Sequence, residues 1–455
     1  MISELEKIVG KDKLITHLEG LEVYSHDEAP GLKSMPLAVV KPTTSKEVSE
    51  IMIWANKNHI PITARGGGTG LSGGAIPCDR GIVISFEHMN RVKEIDIENL
   101  MCVVEPGVIV GDLANEVKKH SLMYPPDPAS IDSCTIGGNI AECAGGARTI
   151  KYGTTKDYVV GLEAVLPTGE IIRCGGKLVK NVTGYNLINL LIGSEGTLAI
   201  TTEATLRLLP MSMEKVSLLI PYNSMEEAVH TVQEIFMHSF IPSAIEFIEA
   251  DAIKAAEEYT GKKFPFIIDI IPAYSLLIEI DGKRKEEVAK DYESIGELAL
   301  NNGAMDVFIA ENRLQQEKLW SARRSISEAM KSKGAIAHED VVVPRSCLPL
   351  LLHKIRELGQ KYKYKICCYG HIGDGNVHVN ILQADTSIKY NYKDLIKELF
   401  SITCELGGMI SGEHGIGLTK KPYLSMSLCE TQISLMRNIK RCFDPNNILN
   451  PGKIF

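Results

Sequence analysis

A loop in the first quarter of the chain constrains the fold more than any other feature. The stretch from 61 to 77 reads PITARGGGTGLSGGAIP, so six of its seventeen residues are glycine. Glycine is needed where the backbone takes a positive φ or where a ligand touches the main chain, and consecutive backbone N–H groups form an anion-binding concavity. The stretch therefore predicts a loop that binds an anion, most suitably a diphosphate, with a flexible surface turn as the alternative.

Two common nucleotide-binding motifs do not describe this loop. The Gly-Lys-Ser/Thr end of a P-loop is missing, and the chain continues through GGAIP into the strand-like GIVISFEHM instead of a helix. A dinucleotide-binding Rossmann fold needs a helix directly after its glycine fingerprint. The sequence therefore disfavours a nicotinamide-dependent enzyme.

Two further glycine-rich turns follow in the first two hundred residues. The residues of the second region that favour ligand binding are Thr135, Gly137, Gly138, Asn139, Gly145, Gly146 and Gly153. GSEGTLAI at 193–200 provides a third turn of the same kind. Three such turns predict one extended ligand with a diphosphate and further polar groups.

The histidines near the carboxyl end form a second constellation. GHIGDGNVHVN places His371 and His378 around a glycine turn, with Asn380 on the same face of a strand as His378. SGEHGIG places Glu413 beside His414. Two neutral imidazoles and a carboxylate suit a divalent metal, with zinc, iron and manganese all open.

These motifs together carry a family resemblance. ITARGGGTGLSGG, PPDPAS with CTIGGNIAECAGG, and GSEGTLAI, in that order, resemble the FAD-binding domain of the vanillyl-alcohol oxidase/p-cresol methylhydroxylase flavoprotein superfamily. GHIGDGNVHVN and SGEHGIG are similar to the branch that contains D-lactate dehydrogenases, the glycolate oxidase D subunit and D-2-hydroxyglutarate dehydrogenase. The resemblance covers essentially the whole chain, and it implies that the glycine loop wraps the FAD pyrophosphate.

The resemblance also implies a set of cofactor-binding residues. They are Arg65, Gly66, Gly67, Gly68, Thr69, Gly70, Leu71, Pro126, Asp127, Thr135, Gly137, Gly138, Asn139, Gly145, Tyr152, Gly153, Glu195, Gly196, Ile200 and Asn450. Asn450 lies in the closing LNPGKIF, which is similar to a C-terminal segment that returns to the flavin domain. Thr69 stands where some superfamily members have a histidine bound to flavin, so non-covalent FAD is expected.

The same branch implies roles for the polar residues of the second constellation. His371, His378 and Glu413 match metal ligands, Asn380 a substrate contact and His414 the general base. A metal suits a 2-hydroxy acid as Lewis acid and template, and an imidazole can take a proton at neutral pH. Hydride from the α-carbon would then pass to flavin N5.

A carboxylate substrate also favours an arginine, whose planar fork matches a carboxylate. In EKLWSARRSISEA, Arg323 follows Trp320 by three residues and matches the family's substrate-carboxylate arginine. Arg324 points about 100° away on a helix, so solvent exposure is expected for it. Without the resemblance, either arginine reads as part of a charged helix face.

The coarse secondary-structure pattern predicts an α+β protein. SKEVSEIMIWANKNH and VGDLANEVKKHS have helical patterns, and YVVGLEAVLPTGEIIRC reads as a hairpin turned at Pro167, Thr168 and Gly169. After residue 210, two β-α-β patterns predict one antiparallel sheet with helices on one face. We expect a two-lobed FAD-binding domain (1–210), an α+β substrate-binding cap (211–385) and a C-terminal helical segment (386–455) that contributes to the active site.

Charge and cysteine usage limit the partners. With 49 basic and 57 acidic residues, the net charge of -8 disfavours nucleic acid. The absence of a signal-peptide pattern and of an eighteen-residue apolar run predicts a cytoplasmic protein without a transmembrane segment. The eleven cysteines include no Cys-x-x-Cys pair, so an iron–sulfur relay within the chain is disfavoured.

The predicted activity is the FAD-dependent oxidation of a small (R)-2-hydroxy acid, such as D-lactate or glycolate, to the 2-oxo acid. Electrons would pass to a partner, such as an electron-transfer flavoprotein, an iron–sulfur subunit or a quinone-linked protein, although direct reaction with oxygen stays open. The alternatives are a D-2-hydroxyglutarate dehydrogenase, a transferase similar to alkylglycerone-phosphate synthase, and a non-catalytic flavin carrier or assembly subunit. The sequence leaves the substrate, metal, acceptor and oligomeric state undetermined.

Overall fold

A computed structural model describes residues 2–264, 272–382 and 391–455. Its strands are β1 (Leu14–Ile15), β2 (Ala38–Val40), β3 (Ile62–Arg65), β4 (Ile82–Ser85), β5 (Val92–Asp96), β6 (Met101–Val104), β7 (Leu122–Met123), β8 (Val159–Val165), β9 (Ile171–Gly175), β10 (Ile200–Arg207), β11 (Leu209–Pro210), β12 (Glu214–Tyr222), β13 (Ala244–Glu249), β14 (Tyr274–Gly282), β15 (Phe308–Ala310), β16 (Ala335–Val342), β17 (Lys365–Gly370) and β18 (Asn376–Leu382). Its α-helices are α1 (Ile2–Val9), α2 (Leu18–Glu22), α3 (Ser45–Asn58), α4 (Val110–Lys118), α5 (Ile136–Glu142), α6 (Thr149–Tyr152), α7 (Leu187–Leu191), α8 (Met225–Met237), α9 (Ala250–Thr260), α10 (Lys285–Asn301), α11 (Arg313–Arg324), α12 (Ile326–Ser332), α13 (Leu348–Tyr362), α14 (Tyr392–Glu405), α15 (Leu424–Ser427) and α16 (Glu430–Phe443).

The chain forms two compact units. The first unit comprises Met1–Gly145, Gly153–Met211 and Glu413–Phe455, and the second comprises Gly146–Tyr152 and Ser212–Gly412. The division into residues 1–210, 211–385 and 386–455 stays a prediction, and its boundary at 385 lies outside the described residues. Among the described residues, the longest apolar helical runs fall short of what a bilayer crossing requires.

The first unit contains two main sheets. One has the strand order β1-β2-β4-β3, in which β2, β4 and β3 run parallel and β1 is antiparallel. Helix α3 buries Val48, Ile51 and Met52 in the core beside this sheet. It begins after Thr44, whose side chain accepts from the N–H of Glu47, a capping arrangement that the sequence pattern favours. The helix predicted from residue 45 is confirmed.

The other main sheet of the first unit is antiparallel, with the order β5-β6-β10-β8-β9. Strands β8 and β9 form the predicted hairpin, and Gly169 takes a φ of 95° in its turn. Helices α4 and α5 pack against this sheet through Leu113, Ile136 and Ile140, which are buried. The sheet therefore provides the base on which the second glycine-rich region lies.

The C-terminal segment is part of the first unit. Leu449 forms a parallel bridge with Ile62 at the start of β3, and the N–H of Asn450 donates to the carbonyl of Ile62 over 2.6 Å. The buried Lys440 ammonium donates to the carbonyls of Thr197 and Leu449 and pairs with Asp444. These contacts fix the last residues beside the strand that leads into the glycine loop.

The second unit is built on a seven-stranded sheet with the order β15-β12-β14-β13-β17-β18-β16. Every one of these neighbouring pairs is antiparallel. The predicted α+β class with an antiparallel sheet is confirmed.

The expectation that helices cover only one face of this sheet is wrong. Leu277 packs with the residues of α9, α11 and α12, while its neighbours Leu276 and Ile278 point to the opposite face and are fully buried. Helices α8 and α10 contact β12 and β14. Continuous apolar strands such as VSLLIPY need cover on both faces, which is why helices lie on each.

Candidate active site

The glycine loop of the first unit follows β3 and packs against the second glycine-rich region. A Cβ on Gly66 would lie 2.1 Å from the Thr135 hydroxyl oxygen, and one on Gly67 would lie 2.2 Å from the carbonyl oxygen of Ser133. Gly68 takes a φ of 71°. Two of the glycines are thus required by close contact with protein atoms, and a third by its backbone conformation.

Arg65, at the end of β3, points its side chain into the protein. Its Nη1 donates to the carbonyl of His26 over 2.6 Å, and its guanidinium lies 5.7 Å from the centre of the Tyr24 ring. The side chain is buried, and burial lowers the pKa of the guanidinium. Arg65 therefore holds residues 23–26 beside the loop, and a cofactor contact from its side chain stays a prediction.

The third glycine turn joins the histidine motif to the first unit. Gly193, Glu195 and Gly196 all have positive φ values, of 73°, 51° and 63°. The Glu195 carboxylate accepts from the N–H groups of Ile416 and Gly417, each at 2.7 Å. The Asn450 amide donates to the carbonyl of Glu195 at 2.9 Å. The turn, the SGEHGIG motif and the C-terminal segment are thus brought together within this unit.

A second carboxyl group lies beside Glu195. The Oε2 atom of Glu142 is buried and has no hydrogen-bond partner among the described residues. Burial and the charge of Glu195 raise the pKa of Glu142 well above its ordinary value. A Cβ on Gly415 would lie 2.3 Å from the Oε2 of Glu142, so this carboxyl packs against the residue that follows His414. The sequence pattern had not singled out Glu142.

The remaining predicted cofactor residues lie around the same loops. Thr69, Gly70 and Leu71 lie in the glycine loop, Pro126 and Asp127 lie between β7 and α5, and Ile200 begins β10. Thr135 is the N-cap of α5, with Gly137, Gly138 and Asn139 in the first turn, and Gly145 and Gly153 follow that helix. Their role in cofactor binding stays a prediction.

Tyr152 lies in the second unit, in contrast to these residues. Its hydroxyl donates to the Oδ2 of Asp281 at 2.5 Å, and Lys151 pairs with the same carboxylate at 2.6 Å. Burial raises the pKa of the Tyr152 phenol. The structure therefore gives this tyrosine a packing role in α6, and a contact with the cofactor stays a prediction.

The first unit offers polar groups that fit FAD. The Nδ2 of Asn139 and the Oγ of Ser72 are buried without hydrogen-bond partners among the described residues. Buried polar groups are almost always paired, so two such atoms on the first and second glycine-rich regions indicate an absent ligand with acceptor and donor groups. The phosphate and ring atoms of FAD provide both.

In the second unit, the predicted histidines lie on neighbouring strands. His371 follows β17 and His378 lies in β18, and their ring centres are 5.2 Å apart. His378 also lies 5.2 Å from the Tyr369 ring. Both imidazoles are buried. The structure thus brings two of the three predicted metal ligands together.

Glu246 of β13 connects one of these histidines to the predicted substrate arginine. Its Oε1 accepts from the Nδ1 of His371 at 2.6 Å, and its Oε2 accepts from the Nε of Arg323 at 2.6 Å. Burial alone would raise the pKa of Glu246, but Arg323 and His371 together hold the pKa below its ordinary value. Glu246 is therefore ionised at neutral pH, and the Nδ1 of His371 carries the proton.

The two arginines of the motif differ as expected. Arg323 is buried, with its guanidinium 4.8 Å from the centre of the Tyr369 ring, whereas Arg324 is exposed. An arginine held over an aromatic ring by a carboxylate has a fixed orientation. Arg323, from helix α11, thus shares Glu246 with His371 and packs on Tyr369, whose ring also lies 5.2 Å from His378.

His338 of β16 also belongs to this group, although no sequence motif indicated it. It lies opposite Asn380 in the β16–β18 pairing, and its Nδ1 is 2.6 Å from the Asn380 Oδ1. Its ring stacks on His378 with 5.7 Å between the centres. The predicted substrate contact, Asn380, is therefore held by a neighbouring imidazole. Strand pairing over 42 residues brought them together, and the sequence gives no local signal of that pairing.

Asp340 fixes the segment that leads to the histidine motif. It accepts from the N–H of Gly412 at 2.8 Å and from the Asn376 amide at 2.6 Å. The chain enters the first unit at Glu413, where the Nε2 of His414 lies 3.8 Å from a Glu413 oxygen. Glu413 as a third metal ligand and His414 as a base thus stay predictions.

The donor atoms of the second unit fit a divalent metal. When His371 is neutral, its donation from Nδ1 to Glu246 leaves Nε2 as the unprotonated nitrogen that a metal binds. A carboxylate behind a ligating histidine is the usual arrangement in metal sites. The pair His371 and His378 is therefore suited to hold a metal with one or more further ligands.

Comparison with protein families matches both parts of the chain. Residues 36–175 match the family described as "FAD binding domain", and residues 212–454 match "FAD linked oxidases, C-terminal domain".

Three curated relatives span nearly the whole chain. The glycolate oxidase subunit GlcD of Bacillus subtilis is 41% identical and covers 99% of this chain and 96% of its own length. The D-lactate dehydrogenase of Archaeoglobus fulgidus is also 41% identical, over 100% of this chain and 98% of its own. The D-2-hydroxyglutarate dehydrogenase of Stutzerimonas stutzeri is 33% identical, with 100% and 98% coverage.

Two solved structures share the fold. p-Cresol methylhydroxylase with substrate bound has a TM-score of 0.82 at 18% identity and covers 100% of this chain and 96% of its own. Alkyldihydroxyacetonephosphate synthase has a TM-score of 0.77 at 20% identity, over 99% of this chain and 84% of its own. At these identities the likeness establishes the architecture of the chain alone, and it confirms the fold that the glycine motifs predicted.

Proposed function

The chain belongs to the FAD-linked oxidases and is an FAD-dependent oxidoreductase of the D-lactate, glycolate and 2-hydroxyglutarate dehydrogenase type; from this we propose that it oxidises a small (R)-2-hydroxy acid, D-lactate or glycolate, to the 2-oxo acid. The observation that carries the proposal is the group in which one carboxylate, Glu246, holds both Arg323 and His371. A 2-hydroxy acid presents a carboxylate next to a hydroxyl, which matches a guanidinium next to a metal-binding imidazole.

FAD is the cofactor, and bound FAD supplies the acceptor for the hydride of the substrate's α-carbon. Thr69 in the glycine loop offers no imidazole for a flavin bond, which supports non-covalent FAD. A divalent metal held by His371, His378 and Glu413 would supply a Lewis acid for the hydroxyl and a template for the substrate. Zinc, iron and manganese all suit this donor set.

The chain's own residues divide the remaining work. Arg323 would bind the substrate carboxylate through the part of its guanidinium that Glu246 does not occupy. Asn380, held by His338, would contact the substrate, and the His414 imidazole would take the hydroxyl proton as general base. Burial of His371, His378 and Arg323 limits competing water and strengthens their charge interactions.

Anaerobic reduction of the bound flavin tests the proposal. We expect (R)-lactate or glycolate to bleach the flavin absorbance, (S)-lactate to bleach it far more slowly, and (R)-2-hydroxyglutarate to reveal whether the longer acid is preferred. Removal of metal with a chelator should slow bleaching. The variant His414→Ala should lose roughly 100- to 10,000-fold in the reduction rate, as expected for loss of a general base.

The matched control is His353→Ala, because His353 is an exposed histidine on α13 whose partner is Glu226. This control should reduce flavin at the wild-type rate. FAD-loaded wild-type protein that no 2-hydroxy acid bleaches would contradict the proposed function. Turnover without flavin reduction would instead favour the transferase alternative.

We further propose that a partner protein accepts the electrons. The Bacillus relative is named a subunit, and the cysteines of this chain lack cluster spacing. An electron-transfer flavoprotein, an iron–sulfur subunit or a quinone-linked protein would serve. Rapid aerobic turnover with stoichiometric peroxide and no added acceptor would contradict this part of the proposal.

A further inference from the structure

Glu246 is the buried carboxylate that holds both His371 and Arg323, and it has no role of its own in the proposed reaction. It lies in the middle of β13, between β14 and β17, and its side chain is completely buried. A buried carboxylate is costly unless charged or hydrogen-bonding partners compensate it. The structure provides two such partners from distant parts of the chain, Arg323 in α11 and His371 after β17.

The two carboxylate oxygens serve different partners. Oε1 accepts from the Nδ1 of His371 at 2.6 Å. Oε2 accepts from the Nε of Arg323 at 2.6 Å and lies 2.5 Å from its Nη2. Because the carboxylate is planar and rigid, it fixes the distance and relative orientation of the guanidinium and the imidazole. One side chain therefore links the two groups that would grip the substrate carboxylate and the metal.

Each contact also determines which nitrogens are left for another ligand. In neutral His371, the bond from Nδ1 to Glu246 leaves the lone pair on Nε2. Arg323 donates to Glu246 from Nε, whereas its buried Nη2, although 2.5 Å from the same oxygen, makes no well-aligned hydrogen bond. The Tyr369 ring lies beside the guanidinium, 4.8 Å from ring centre to Cζ. The arrangement thus leaves an imidazole nitrogen for a metal and guanidinium N–H groups for a carboxylate.

We propose that Glu246 is a positioning residue that couples metal binding to substrate-carboxylate binding by holding His371 and Arg323 in one fixed arrangement. This inference rests on the proposed function, since it assigns His371 and Arg323 to a 2-hydroxy-acid site, as metal ligand and carboxylate-binding group. It differs from a purely structural role, because removal of the carboxylate charge should weaken metal binding and carboxylate binding together while the unit stays folded.

The test compares Glu246→Gln with Glu279→Gln in the FAD-loaded full-length protein. Glu279 is a matched control, because it is also a buried carboxylate of the same sheet and is paired with Arg148 at 3.1 Å and Lys215 at 3.4 Å. Zn²⁺ affinity is measured by chelator competition. Propanoate, which has the carboxylate but no hydroxyl to oxidise, is titrated into metal-depleted protein and followed by the flavin absorbance spectrum.

We expect Glu246→Gln to weaken Zn²⁺ binding by about 10- to 100-fold, the usual effect of losing a carboxylate behind a ligating histidine. Propanoate binding should weaken by about 10-fold, because a charge-assisted hydrogen bond no longer orients Arg323. Glu279→Gln should change both affinities far less, because Glu279 pairs with Arg148, Lys215 and Ser243 and holds neither His371 nor Arg323. FAD content and thermal unfolding of both variants establish that they are folded.

The outcomes separate the inference from the proposed function. Wild-type protein that binds neither Zn²⁺ nor propanoate contradicts both the proposed function and the inference, since Glu246 would then have no binding groups to position. Wild-type protein that binds both, with Glu246→Gln unchanged or weakened in only one affinity, overturns the coupling alone. If Glu246→Gln does not fold, Glu246→Asp retains the charge but is one methylene shorter and cannot reach both partners. Wild-type values for both ligands in that variant would also overturn the inference.

Discussion

The glycine-lined region of the first unit and the imidazole-lined region of the second bury carboxyl groups under opposite conditions. In the first unit, burial raises the pKa of Glu142, Glu195 and Asp27, and their hydrogen-bond partners are mainly backbone N–H groups. Lys420 lowers the pKa of both glutamates, but by less than burial raises it. These carboxyls are therefore protonated more readily than in water.

In the second unit, three buried carboxylates have lowered pKa values. Burial by itself would raise the pKa values of Glu246, Glu279 and Asp281, but nearby cations hold all three below their ordinary values. Glu249 of the same unit is an instructive exception. Its cation, Arg356, lies 3.5 Å away, and burial raises its pKa. Glu279 has two cations, at 3.1 and 3.4 Å, so the cations around each carboxyl, and not the unit itself, set the direction of its pKa shift.

The comparison shows that the two halves of the predicted site depend on different parts of the chain. The first unit shapes its region with backbone, where glycines pass close to protein atoms and the buried carboxyls have raised pKa values. The second unit shapes its region with side chains that are fixed by ion pairs. Loss of a carboxylate charge should therefore be costly at the ion pairs of the second unit's sheet and tolerated at Glu142, whereas loss of a glycine should be costly in the glycine-lined region.

The largest effect is expected for Glu279→Gln in the second unit. The substitution leaves Arg148 and Lys215 without their buried counter-charge, so the free energy of unfolding should fall by about 3 kcal/mol at neutral pH. Urea unfolding measures this, with Glu293→Gln, an exposed residue of α10, as the control that should change stability by less than about 0.5 kcal/mol.

The pH dependence of the Glu279→Gln effect follows from the lowered pKa of Glu279. A carboxyl whose folded pKa lies below the unfolded value stabilises the fold fully above the unfolded pKa and loses that contribution as pH falls through the folded pKa. The difference between wild type and variant should therefore shrink in acid. An effect equal to that of the control, or one independent of pH down to acid unfolding, would contradict the contrast between the units.

The sequence predicted the parts of the site that local motifs encode. The glycine turns and the two histidine motifs are local, so they predicted an anion-binding loop and an imidazole pair, and their resemblance to a flavoprotein superfamily implied FAD. Glu246 and His338 could not be found in this way. Both faces of the second unit's sheet are covered, so residues 244–248 of β13 are all buried and no exposed polar face marks the functional side of the strand.

Long-range pairing determined the rest. Glu246 meets Arg323 across 77 residues and His371 across 125, and no spacing rule predicts such contacts. Tyr152 is a further long-range case: the cofactor contact that the resemblance implies stays a prediction, and its hydroxyl donates to Asp281, 129 residues away. The wrong prediction that helices cover only one face of the sheet has a local cause instead. The continuous apolar run VSLLIPY already indicated a strand that is buried on both faces.

A smaller effect is expected for Gly67→Ala in the first unit. The new Cβ would lie 2.2 Å from the carbonyl oxygen of Ser133, which is backbone and cannot move without distorting the second glycine-rich region. We expect a loss of about 2 kcal/mol in the free energy of unfolding, even in protein stripped of FAD.

The control for this prediction is Gly70→Ala, whose Cβ would meet only the Asp27 carboxylate, at 3.8 Å. It should leave the FAD-free protein as stable as wild type, so any loss of FAD affinity in this variant would report a contact with the cofactor itself. Equal stabilities for the two FAD-free variants would show that the glycines serve the ligand alone, and the view that backbone packing shapes this region would be wrong.

The smallest effect, and the one with the opposite sign, is expected for Glu142→Gln. Because burial raises the pKa of Glu142, the folded protein takes up a proton that the unfolded chain lacks, and stability is lost as pH rises from the ordinary value through the folded pKa. Glutamine is neutral at every pH and nearly the same size, so it removes this cost. Glu142→Gln should equal wild type in stability near pH 4 and be more stable by up to about 1 kcal/mol at pH 8.

The control is Glu98→Gln, a substitution of an exposed residue of the first unit, which should show no such trend with pH. A variant less stable than wild type at pH 8 would mean that Glu142 is charged and compensated, as the carboxylates of the second unit are, and the two regions would then share one rule.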